Sequence, residues 1–119
     1  MNESGFIQKV RGGLSKLIHK EKFSDKFKAG IPDCWYSGPR GDLWVEYKYS
    51  VYPHRKPNLS KHQQQWLKNR HLEGRNVAVI VGTTKGAVIY PGIEWMNYKN
   101  KSTLISFKDL IDWIQEKTL

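Results

Sequence analysis

The stretch Gly30–Tyr49, GIPDCWYSGPRGDLWVEYKY, constrains the fold most: two runs rich in aromatic and β-branched residues flank the loop-forming Ser37-Gly38-Pro39-Arg40-Gly41-Asp42. The chain is expected to double back on itself over residues 32–49. If the six-residue loop is symmetric, paired positions sum to 79, so Asp33 faces Glu46 and Trp35 faces Trp44. Side chains alternate along a strand, which puts Lys48 on the face of Glu46 and gives Leu43, Val45, Tyr47 and Tyr49 to an apolar face that fixes the register. Like charges directly opposite each other destabilise a strand pair. A bound divalent cation converts that liability into a site, with the Lys48 ammonium beside it for a phosphate. The plainer alternative is two acids on a solvated edge. Pro32 sharpens the first reading, because proline can open a strand but cannot donate to a central ladder.

Around this hairpin the pattern alternates between helix and strand. Glu3, Ile7, Val10 and Leu14, with Phe6 alongside, follow helical spacing and point Glu3 inward, and Gly12-Gly13 closes that helix. Residues 16–23 form a basic strand candidate, and 24–30 a loop. Tyr52–Asn58, YPHRKPN, is a proline-punctuated basic loop. A second helix is expected from about Ser60 to Glu73, stopped by Gly74. Residues 76–82, NVAVIVG, read as a buried central strand, and 87–90 as a short strand after the Thr83–Gly86 turn. Phe107, Leu110, Ile111 and Ile114 mark a last amphipathic helix, capped by Ser106 with Asp109 three residues on. The expected fold is α/β, a mixed sheet flanked by helices in the order α-β-β-β-α-β-β-α.

With 119 residues the chain is expected to form one domain, residues 1–119. Twenty Lys and Arg against eleven Asp and Glu leave a formal charge of +9, which favours a polyanionic partner, nucleic acid before anionic membrane. No run approaches the length of a spanning helix. The opening Met-Asn-Glu-Ser-Gly-Phe lacks the pattern of a signal peptide, and a lone cysteine, Cys34, suits a reducing cytoplasm, so a cytoplasmic location is expected. Cys34 reads as a small packed thiol. His19, His54, His62 and His71 show no zinc spacing. Trp35 and Trp44 read as a packing pair.

A helix carrying an acid, a Pro-Asp hairpin, Glu-x-Lys, then a helix and a buried strand resembles the PD-(D/E)XK nuclease superfamily over roughly residues 3–90. Within it the chain looks most like small phage and bacterial proteins of the VRR-NUC type, similar to Holliday-junction resolvases. Gly30-Ile31-Pro32-Asp33 matches the family's Gly-x-Pro-Asp and Glu46-Tyr47-Lys48 its Glu-x-Lys. Leu59-Ser60-x-x-Gln63-x-x-Trp66-Leu67 matches the helix that follows, and Glu3-Ser4-x-Phe6-Ile7 the opening helix. The resemblance implies a restriction-endonuclease-like fold and a metal-dependent endonuclease for DNA, including branched DNA, working as a two-fold dimer. It further implies that Asp33, Glu46, the Tyr47 carbonyl and Glu3 hold Mg²⁺, with Mn²⁺ able to substitute. Lys48 then positions water or offsets charge on the phosphate, and Gln63 orients water or phosphate. Glu3 has a duller reading as an acid favoured by the helix dipole, and Gln63 as half of a capping box with Ser60. Arg55 and Lys56, beside His54, are the first candidates for phosphate contacts, followed by Lys61, Lys68 and Arg70. The rival readings are a flap or single-strand exonuclease of the same superfamily and a non-catalytic nucleic-acid-binding domain.

Overall fold

The computed structural model describes residues 1–23, 30–100 and 103–119; most of the loop expected at 24–30 therefore lies outside the described residues. Five strands, β1 (His19–Lys22), β2 (Cys34–Ser37), β3 (Asp42–Tyr49), β4 (Val77–Thr83) and β5 (Gly86–Pro91), make one sheet in chain order. All neighbours are antiparallel except β3 and β4, which are parallel and joined through helix α2 (Lys61–Leu72). Helices α1 (Glu3–Gly13) and α3 (Phe107–Thr118) cover one face, and α2 covers the other. This is the mixed, helix-flanked α/β sheet expected from the sequence, in the expected order. One element had no sequence signal, a 3-10 helix at Glu94–Asn100, which closes the α2 face with buried Trp95.

The hairpin register is the one that alternation and loop symmetry require: Cys34 pairs with Val45, Trp35 with Trp44, Tyr36 with Leu43 and Ser37 with Asp42. The loop is tighter than expected, because Ser37 and Asp42 still pair and the Gly38 N–H donates to the Gly41 carbonyl at 3.1 Å. Strand β4 is buried along its whole length. Its Val77, Val79 and Val81 go to the α2 core, and Ala78 and Ile80 to the α1/α3 core. Gly82 continues the latter face. A Cβ there would meet the Phe6 ring at 2.6 Å, so the missing side chain is what lets α1 lie against the sheet.

Helix α2 is held by few groups. Its only buried residue is Leu67, and Trp66 rests on Trp44 with ring centroids 5.2 Å apart. Its start compensates. Ser60 Oγ accepts from the Gln63 N–H at 3.1 Å, and Gln63 Oε1 accepts from the Ser60 N–H at 2.9 Å, a complete capping box. Gly30 fixes where that start lies. Its φ of +85° suits glycine, and a Cβ would collide with the His62 carbonyl oxygen, so the chain entering the hairpin runs hard against the first turn of α2.

Candidate active site

Strand β2 begins at Cys34, one residue after Asp33, so the ladder between β2 and β3 ends at Cys34–Val45. The Asp33 side chain replaces the missing backbone partner: its Oδ2 accepts from the Tyr47 N–H at 2.8 Å. Alternation along β3 explains why Tyr47 is available. The N–H groups of Trp44 and Ser50 point to the β4 side, donating to the Asn76 and Gly82 carbonyls. The peptide groups of Tyr47 therefore face the opposite edge, where its carbonyl lies on the side of Asp33.

Glu46 lies on the α2 face of β3, at 3 % exposure, on an interior strand. Its Oε2 accepts from Gln63 Nε2 at 2.9 Å and is 3.3 Å from Lys48 Nζ. Its Oε1 is buried and finds no hydrogen-bond partner of good geometry among the described residues, although the Asp33 and Glu46 carboxyls lie close enough to share a proton. Burial, then the nearby Asp33 charge, push the Glu46 carboxyl up to about 7, while Lys48 pulls the other way. Burial raises Asp33 as well, opposed first by the Tyr47 amide and then by Lys48. Two acids and one ammonium thus share a partly buried cluster that disfavours the second negative charge. A proton or a cation can supply what is missing.

The donor set fits a hard divalent cation. Two carboxylates and a backbone carbonyl are all oxygen donors, and the open Glu46 Oε1 is the buried acceptor such an ion would fill. Among the described residues, however, no three His, Cys, Asp or Glu side chains are grouped as a metal-binding cluster. Two protein carboxylates with water and phosphate oxygens completing the shell is the usual manner of Mg²⁺.

The remaining expected site residues divide. Glu3 is not on the buried stripe of α1, which is Phe6, Ile7 and Val10; it is exposed in the first turn, at the edge of the cleft that Lys48 lines. It shares the field of the pair, its carboxyl raised by burial and then by Asp33. Gln63 closes the capping box with its Oε1 and at the same time donates from its Nε2 to Glu46. Arg55 and Lys56 line a cleft together with Lys48 and Glu3. Lys61 and Lys68 face the other way, toward Trp95 and Met96. Arg70, about 10 Å further along α2 than Gln63, is ion-paired with Glu73 at 2.8 Å and is not brought to the cluster.

One contributor escaped the sequence reading. Lys22 lowers both Asp33 and Glu3, which follows from β1 pairing with β2 and had no local signal. Trp44 and Trp66 stand on the face of Glu46 and Gln63, where strand alternation and helical spacing place them. Trp35 and Trp44 do stack, at 5.8 Å. Cys34 is fully buried and its thiol is pushed up to about 11 by that burial, so it is no nucleophile.

The elements define an acid–acid–amine cluster near the carboxyl ends of a parallel strand pair, where open α/β sheets commonly bind ligands. No family model matches the chain, so the narrower likeness to VRR-NUC proteins gains no support, and no characterised protein matches it in sequence. Among solved structures it is similar to Hjc, a Holliday junction resolvase from the archaeal hyperthermophile Archaeoglobus fulgidus, with a TM-score of 0.48, 16% identity, and coverage of 74% of this chain and 71% of Hjc. So distant a likeness says nothing of activity, which has to be read from the cluster itself.

Proposed function

We propose that the protein is a divalent-metal-dependent deoxyribonuclease that hydrolyses phosphodiester bonds at the Asp33–Glu46–Lys48 cluster. One observation carries the reading: a buried carboxylate, Glu46, with one oxygen held by Gln63 and Lys48 and the other facing, among the described residues, no donor but a second acid, Asp33. Asp33, Glu46 and the Tyr47 carbonyl would hold Mg²⁺. When bound, the cation supplies a water of lowered pKa and a polarised phosphoryl oxygen. Lys48, 3.3 Å from Glu46 Oε2, holds a positive charge where the phosphate gains negative charge, and can orient the attacking water. Gln63 acts as a positioning residue: with both ends of its amide engaged, it fixes the rotamer of Glu46.

The formal charge of +9 and the basic loop at 54–56 support a nucleic-acid substrate. The finer part of the reading, structure-selective endonuclease action on branched DNA by a homodimer, extends the resemblance carried by Gly30-Ile31-Pro32-Asp33 and Glu46-Tyr47-Lys48. The test is a panel of labelled four-way junction, flap, duplex and single-stranded DNA incubated with Mg²⁺, Mn²⁺ or chelator. Wild type is expected to cut only with metal, and Asp33→Ala and Lys48→Ala to lose cutting by at least about a hundred-fold while still binding DNA. Undiminished cleavage by either variant removes the assignment.

A further inference from the structure

Beside the cluster lies a cleft of about 350 Å³ between the ends of β3 and β4 and the loop that follows β3. We infer that it takes one unpaired nucleotide of a nucleic-acid strand, with its base stacked on Tyr52 and its phosphate among Lys48, Arg55 and Lys56. The identity of the strand rests on the nuclease reading above.

A lone exposed tyrosine is ordinary on a protein surface. Tyr52 is distinguished by its setting. Its ring is covered on one side by the Arg55 guanidinium, 4.1 Å from the ring centroid, and the residue is still 57% exposed. The turn that carries it is pinned, since the Tyr52 N–H donates to Ser50 Oγ at 2.9 Å and the Arg55 N–H to the Tyr52 carbonyl at 3.2 Å. Buried Pro57 and Leu59 then anchor the far end of the loop. An aromatic plane held in place with a cation on its back is the arrangement that stacks bases without reading their sequence. Val81 and Tyr49 supply apolar lining, and Lys48 and Lys56 supply charge for the backbone.

Size and position make the cleft selective. A volume near the lower end of the range for ligand sites, about 300–1,000 Å³, suits a nucleoside and not a helix. A base inside a duplex has no free face to offer Tyr52, whereas one at a branch, gap or flap does. Because Lys48 belongs both to the cleft and to the acid cluster, a nucleotide seated there is adjacent to the phosphate presented to Asp33 and Glu46. Preference for interrupted duplexes would then be set by stacking beside the reacting phosphate.

The test measures binding in EDTA, separate from cutting. Oligonucleotides carry 2-aminopurine either unpaired at a gap or within the intact duplex. Wild type is expected to bind the gapped form more tightly and to change the fluorescence of its unpaired 2-aminopurine. Tyr52→Ala should lower the gapped-to-duplex affinity ratio about ten-fold and remove the fluorescence change, and Tyr52→Phe should restore both. An unchanged ratio in Tyr52→Ala, or a wild type that binds both forms equally, overturns the inference. A Tyr52-dependent ratio in a protein that cuts nothing with Mg²⁺ would remove the nuclease reading alone; cutting with a Tyr52-independent ratio would remove this inference alone.

Discussion

Burying a carboxylate inside a sheet is costly unless it is neutralised, and Glu46 has three partial remedies: a proton, the Lys48 ammonium and a cation at its open oxygen. The raised pKa sets the direction of its pH dependence. With a folded value of about 7 against an ordinary 4.5, the folded state holds the proton that the unfolded state has already released. Stability without metal is therefore greatest below about pH 4.5 as far as Glu46 is concerned, and is lost as pH rises towards 7. At about 1.4 kcal/mol per pH unit the loss is on the order of 3 kcal/mol. Urea melts of chelated wild type should show it, and Glu46→Gln should remove most of it, making the variant more stable than wild type at pH 8 while abolishing cleavage. Mn²⁺ should restore part of the loss in wild type and none in Glu46→Gln. A Glu46→Gln protein with the wild-type pH slope would show that the buried charge lies elsewhere.

Helix α2 delivers Gln63 to Glu46, yet it buries only Leu67 and relies on its cap and on Gly30 for its position. Gly30→Ala must displace the His62 carbonyl or the incoming chain, in a left-handed conformation that alanine disfavours. It should cost about 1–3 kcal/mol in thermal or urea unfolding and lower kcat, since Gln63 is the next residue along. Ser60→Ala removes one hydrogen bond of the cap and should cost about 1 kcal/mol with a smaller effect on kcat, because the Gln63 bond to Glu46 does not pass through Ser60. Equal losses of activity in both variants would indicate that α2 moves as a whole rather than at its contact with Gly30.

Over the whole molecule, the +9 charge should make DNA affinity fall linearly with salt on logarithmic axes. Where the cations lie decides which of them matter. Arg55→Ala and Lys56→Ala, in the cleft beside Lys48, should each lower that slope by about 1; Arg70→Ala, ion-paired with Glu73 at the far end of α2, should leave it unchanged. Fluorescence anisotropy at several salt concentrations reads all three. The sequence by itself determined what depends on short-range rules: the hairpin register, because one face of β3 is apolar; the capped helices, because Ser60 and Ser106 stand where helices begin; and the shared face of Glu46 and Lys48, because strand side chains alternate, whereas Asp33, expected opposite Glu46 in the ladder, stands just before β2 and accepts from the Tyr47 N–H instead. Only the tertiary structure decided which distant charges meet. The parallel crossing from β3 through α2 to β4 turns Gln63 onto Glu46 and carries Arg70 away. The packing of α1 under Phe6 leaves Glu3 exposed, and the pairing of β1 with β2 brings Lys22 near the acids. Spacing along the chain carries no information about such meetings, since they are set by how elements pack across the sheet.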